Sequence, residues 1–227
     1  MSSRTTDPDY LQYQYSDAEK LRIRVQTHQQ YTERPNDAFF AWVVSHLAPR
    51  AGMTVLDLGC GPGTYHPLLT RAVGPDGHLL ALDRSPGMVQ EARQRITDPA
   101  RQPHGTGQVV SFLQADAEQL PLQDTACDRV LAAHMLYHVP DQRQALREMR
   151  RVLRPGGRLV LTTMAAAESR LHAIHCQAAL ELGYSPAPGP AARFSLDDLP
   201  LVWSVFPGAE RHVFEDAFRF PTADAAL

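Results

Sequence analysis

The chain has 227 residues, 44% hydrophobic and 21% charged, with a formal net charge of −3 and a pI near 6.3. This size and balance fit one α/β domain around a single sizeable core. They exclude a bilayer-spanning helix, since no apolar run approaches the roughly 20 residues required, and they argue against a basic face built to grip a long nucleic acid.

Residues 1–10 are polar and lack the apolar stretch of a secretory signal, so the expected location is cytoplasmic. Tyr10, Tyr13 and Tyr15 sit in a polar lead-in, and Asp17 to Gln30 reads as a helix. Asn36-Asp37 reads as the N-cap of a second helix, Ala38–Leu47. In it Phe39, Phe40, Val43, Val44 and Leu47 form an apolar stripe at helical spacing, and Pro49 follows its end.

From Met53 short apolar strands alternate with helices. Met53–Leu58 is the first strand and runs into the turn Gly59-Cys60-Gly61-Pro62-Gly63, followed by a helix to about Val73. Gly74 to Gly77 is turn chemistry. His78–Leu82 is a second strand ending at Asp83, and Ser85 caps the next helix with Pro86 at its first position. The third strand is Val109–Leu113, the fourth Arg129–Ala133. Gln142–Leu153 is an amphipathic helix closed by Pro155-Gly156-Gly157 before a fifth strand, Arg158–Thr163. Ala165–Leu182 reads as a helix, Ser195 to Asp198 as a capping box opening a short one, and Arg211–Phe220 as a sixth strand.

This alternation implies a parallel sheet with helices on both faces, which binds ligands at the carboxyl ends of its strands. The polar features fall there. The glycine turn lets a ligand approach the main chain, and the helix after it presents a positive dipole end. Asp83 lies 20 residues beyond Gly63, the spacing of a carboxylate that accepts from ribose hydroxyls. Asp116-Ala117, after strand three, pairs an acceptor with a backbone donor suited to an adenine edge. No metal is expected: Cys60, Cys127 and Cys176 are scattered, and His172, His175 and Cys176 lack a second ligand cluster.

A nicotinamide-binding chain would open on its first strand with a G-x-G-x-x-G turn. Here the turn is G-x-G-x-G, preceded by Asp57 and by about 50 residues of helical sequence. Five blocks, Val55–Tyr65, Leu79–Val89, Leu113–Val130, Ala132–Asp141 and Glu148–Leu161, resemble the class I S-adenosylmethionine-dependent methyltransferases. The likeness is to the small-molecule branch similar to the ubiquinone and menaquinone C-methyltransferases. The resemblance implies a Rossmann-like fold and S-adenosyl-L-methionine as cofactor. Asp57, Gly59, Cys60 and Gly61 would surround its methionine part, with the main chain of His134 near the amino group. Asp83 would hold the ribose, Arg84 and Met88 would flank the adenine, and Asp116 and Ala117 would read its edge.

The block His134-Met135-Leu136-Tyr137-His138 would then lie near the transferred methyl group. Positioning can supply roughly 7–11 kcal/mol to such a displacement. Where the acceptor loses a proton, His138 is the first candidate base and His134 the second. Residues 1–50 resemble a helical lid, with Arg24 near the cofactor carboxylate and His28 and Tyr31 near the acceptor; Phe39, Phe40 and Trp42 are read as core. Residues 51–227 form the cofactor-binding domain, with 165–207 a helical insertion between strands five and six.

Six candidate strands stand against the family's usual seven: either the seventh is missing from this sequence, or a segment read otherwise supplies it. If it is missing, strands five and six would carry unpaired edges, and a homodimer stays open as an assembly. The expected partner is a small-molecule methyl acceptor. A nucleic-acid methyltransferase is the second reading, although the [DNS]-P-P-[YFW] tetrapeptide is replaced by Ala133-His134-Met135-Leu136 and no Pro-Pro pair occurs. A non-catalytic cofactor-binding module is the third.

Overall fold

A computed structural model of the chain describes residues 37–97, 109–164 and 192–216, with isolated positions at 30, 32–34, 177, 180, 181 and 183. The expected helices over 17–30 and 165–182, the lid residues Arg22, Arg24, His28 and Tyr31, and the His172, His175 and Cys176 group lie outside or almost wholly outside these residues.

The elements in chain order are α1 (Ala38–Leu47), β1 (Thr54–Leu58), α2 (His66–Val73), β2 (His78–Asp83), α3 (Pro86–Thr97), β3 (Val109–Gln114), β4 (Cys127–Ala133), α4 (Gln142–Val152), β5 (Leu153–Thr162) and α5 (Leu199–Trp203). Single 3-10 turns at Leu136–His138 and Leu196–Asp198 join them. The five strands form one parallel sheet in the order β3-β2-β1-β4-β5, so the order reverses between β1 and β4.

Side chains alternate across the sheet with period two. Val55, Leu79 and Leu131 face one way and bury against Val43 and Leu47 of α1 and Leu69 and Val73 of α2. Leu56, Leu58, Leu80, Leu82, Val130 and Ala132 face the other way, against Leu146 and Met149 of α4 and Val202 of α5. Helices therefore cover both faces, as the alternation of strands and helices required.

Local signals account for most element ends. Ser85 Oγ accepts from Met88 N at 3.4 Å and starts α3. Asp141 Oδ1 accepts from Gln144 N at 2.9 Å and starts α4. The capping box at Ser195 closes with Asp198 as expected. α1 is different: Asp37 occupies the N-cap without a side-chain hydrogen bond, and the helix stops where Ala48 turns left-handed at φ 48° ahead of Pro49.

Two expectations are corrected. β5 starts at Leu153 rather than at Arg158. Pro155-Gly156-Gly157 is drawn into the strand through a register shift opposite Cys127 and Arg129, and a Cβ at Gly157 would lie 3.1 Å from Asp128 O of β4. Arg211–Phe220 is not a sixth strand over its described part: residues 211–216 are irregular, with Phe214 packed edge-on against Phe39 at 5.3 Å. An aromatic contact to α1, rather than a ladder, holds that segment.

A buried carboxylate of α4 fastens the loop from β3 to β4 to that helix. Glu148, 9% exposed, accepts from Leu120 N at 2.8 Å and from two nitrogens of Arg151. Arg151 in turn donates to Leu122 O and Asp124. The Arg151 hydrogen bonds hold the Glu148 carboxyl below its ordinary value of 4.5. Glu148→Ala is expected to cost roughly 2–4 kcal/mol in denaturant unfolding, because it strands a buried N–H and an arginine. In the parent protein Glu148 contributes its stability fully above pH 4.5, and that contribution is lost as pH falls through the lowered value.

Candidate active site

At the carboxyl ends of β1, β2 and β4 lies a cavity of about 690 Å³. Its floor is the glycine turn. Gly59, Gly61 and Gly63 have φ of 68°, 53° and 76°, a region that a side chain disfavours. At Gly59 space is short as well, since a Cβ there would lie 2.7 Å from Met135 Cβ.

The turn is tied to β2. Gly59 N and Cys60 N both donate to Leu82 O, at 2.8 and 3.0 Å. Asp83 Oδ2 accepts from Gly61 N at 2.8 Å and its Oδ1 from Ser85 N at 2.8 Å. One carboxylate thus spans the turn and the start of α3, and each oxygen keeps acceptor capacity for a ligand. Burial pushes the Asp83 carboxyl above its ordinary range, against the backbone hydrogen bonds that pull it down.

Asp57, on the face of β1 toward α2, is 1% exposed and borders the cavity. Its Oδ2 lies 3.3 Å from His66 Nε2 without the alignment of a hydrogen bond. Burial first, and the Asp57 charge second, push both the Cys60 thiol and the Tyr65 phenol well above their ordinary values. Neither group is a nucleophile near neutrality.

The far wall follows β4. His134 holds a left-handed φ of 52°, unusual for a side-chain-bearing residue. Its N–H donates to Thr162 O and Oγ1, both at 3.1 Å, which fixes the bend. His138 ends the 3-10 turn Leu136–His138, half-buried at the cavity wall, with its ring 4.5 Å from Tyr137. Arg84, Met88, Asp116 and Ala117 complete the rim at β2 and β3.

Of the residues singled out from the sequence, Asp57, Gly59, Cys60, Gly61, Asp83, Arg84, Met88, Asp116, Ala117, His134 and His138 gather around one cavity, while Arg24, His28 and Tyr31 lie outside the described residues. Phe40, expected in the core, packs beside it but also reaches the cavity wall, with Tyr65 edge-on at 5.2 Å. The sequence reading does not single out His66 or Thr162. A histidine in the first turn after the glycines was the one signal available for His66. Thr162 carried none, because its partnership with His134 spans two strands.

The cavity suits a cationic adenosine ligand on its own features. The turn leaves main chain bare where a Cβ would clash, the buried Oδ2 of Asp57 has no hydrogen-bond partner among the described residues, and of the described lining residues Asp57, Asp83 and Asp116 outnumber the one arginine, Arg84.

Comparison with known proteins agrees. Residues 56–161, from β1 to β5, match the family described as a methyltransferase domain. Over 112 residues the chain is 45% identical to the ubiquinone/menaquinone biosynthesis C-methyltransferase UbiE of Hahella chejuensis, covering 49% of this chain and 43% of that one. Over 122 residues it is 37% identical to the protein of the same name from Pseudomonas putida, covering 54% and 46%. The chain spans less than half the length of these curated relatives. A SAM-dependent methyltransferase from Aquifex aeolicus shares the fold, with a TM-score of 0.61, 22% identity, and coverage of 83% of this chain and 86% of that one.

The glycine turn yields a stability test. Gly59→Ala must accept both a left-handed φ and a clash with Met135, whereas Gly156→Ala meets φ 75° in open space. Unfolding titrations are expected to show a loss of about 1–2 kcal/mol for Gly156→Ala and clearly more for Gly59→Ala. Equal losses would contradict the packing of Met135 on the turn.

Proposed function

We propose that the chain, which matches a methyltransferase domain over residues 56–161, is a class I S-adenosylmethionine-dependent methyltransferase that moves the cofactor's methyl group to an O, N or C atom of a small-molecule acceptor. The observation that carries this reading is the convergence of the glycine turn, Asp57, Asp83 and the His134–His138 segment on one cavity at the strand tips.

S-adenosyl-L-methionine, when bound, supplies a methyl group on a sulfonium that is already a good leaving group. The chain's own task is then to bind, orient and dehydrate. Asp83 accepts from the ribose hydroxyls while it holds Gly61 and Ser85. Asp116 and Ala117 read the adenine edge, with Met88, 2% exposed, as an apolar flank and Arg84 beside it. Asp57, Gly59, Cys60 and Gly61 surround the methionine part. The His134 carbonyl is the main-chain atom offered to its amino group, since the N–H is engaged by Thr162.

His138 stands where an acceptor enters. Its imidazole removes the acceptor proton as the new bond forms, and His134 is the alternate base. The walls at half-buried Phe40 and Met135 and buried Tyr137 keep water from the reacting atoms. The relatives named for C-methylation in ubiquinone and menaquinone synthesis support a small-molecule acceptor.

Asp83→Ala is expected to weaken S-adenosylhomocysteine binding by about tenfold or more in calorimetry, from the loss of charged-acceptor hydrogen bonds. Unchanged affinity would remove Asp83 from the site. His138→Ala is expected to lower turnover in a labelled-methyl assay against a metabolite extract while leaving S-adenosylhomocysteine affinity within about twofold. A parallel loss of both would recast His138 as a structural residue.

A further inference from the structure

Behind the glycine turn, β1 and α2 meet at two polar side chains cut off from bulk water. Asp57 and His66 are each 1% exposed, and His66 Nε2 stands 3.3 Å from Asp57 Oδ2. Among the described residues, Asp57 Oδ2 and both ring nitrogens have no hydrogen-bond partner. Unsatisfied buried polar atoms are costly, and an aliphatic residue of similar volume would fill the same space without that cost.

The ring is confined. A Cβ at Gly63 would lie 2.5 Å from His66 Nδ1, so the imidazole is wedged directly beneath the turn. Phe112 meets its outer side edge-on at 5.8 Å. With the ring fixed and Oδ2 against it, Oδ1 is the carboxylate oxygen left to the cavity that Asp57 borders.

We infer that His66 is a positioning residue: its Nε2–H, held against Asp57 Oδ2 from behind the glycine turn, orients Asp57 so that Oδ1 receives the amino group of the cofactor's methionine moiety. This rests on the cavity being the cofactor site. No proton changes place. The Asp57 charge is shared between a donor on the protein side and a cation on the cavity side, and the contact with His66 tightens into a hydrogen bond when the cation arrives.

The test is calorimetry with two ligands, S-adenosylhomocysteine and 5′-methylthioadenosine, which keeps the adenosine but has no amino-acid end. The parent protein is expected to bind both. If it binds neither, the assignment of the cavity to the cofactor fails, whatever His66 does. His66→Leu is expected to lose about tenfold or more in affinity for S-adenosylhomocysteine and less than about twofold for 5′-methylthioadenosine. His66→Gln, whose amide nitrogen can replace Nε2, is expected to recover most of the loss.

S-adenosylhomocysteine binding by His66→Leu at parental strength, equal losses for both ligands, or no rescue by His66→Gln would each overturn the inference. Should His66→Leu melt before measurement, nitrogen spectra of the parent imidazole decide. S-adenosylhomocysteine is expected to move the His66 Nε2 resonance while 5′-methylthioadenosine leaves it in place, and a resonance indifferent to both contradicts the role.

Discussion

The carboxylate of Asp83 ties the site to the fold. It ends β2, yet its two oxygens accept from Gly61 in the turn after β1 and from Ser85 at the start of α3. A glycine turn has little conformational preference of its own, so its shape must be imposed from outside. Asp83 and the Leu82 carbonyl impose it, and the sheet holds both at a fixed distance from β1 by the Leu58–Leu82 pairing. The same pairing places Asp57 opposite the small side chain of Ala81.

The two ends of the sheet carry their charges differently. At the amino ends, Asp128 accepts from Thr54 N and pairs with Arg154, joining the starts of β1, β4 and β5. At the carboxyl ends, Asp57 has no arginine or lysine partner among the described residues, and burial first and its field second raise the thiol of Cys60 and the phenol of Tyr65. Stability is gathered at one end and an uncompensated negative potential at the other. A sulfonium-bearing adenosine with an amino group is complementary to that potential, and its own charge completes the site.

Much of this was legible in the sequence because strand tips, turns and caps obey local rules. The strands β1 to β4 begin and end within a few residues of where apolar runs meet Gly, Asp or Ser, and the site residues drawn from the five blocks line one cavity. The start of β5 was not legible, since Pro155-Gly156-Gly157 has turn composition and becomes strand only by lying close against β4. Arg211–Phe220 alternates like a strand, yet over residues 211–216 an aromatic contact with α1 decided its course. The bend at His134 and the burial of His66 are both set by long-range partners, Thr162 and Asp57. Periodicity within one segment carries no trace of either.

The most direct measurement is a crystal structure of the protein grown with saturating S-adenosylhomocysteine. The account requires both ribose hydroxyls on the Asp83 carboxylate, the adenine edge at Asp116 and Ala117, and the amino group at Asp57 Oδ1. Adenosine seated elsewhere on the molecule, or bound in the cavity with Asp83 and Asp57 turned away from it, would contradict the account.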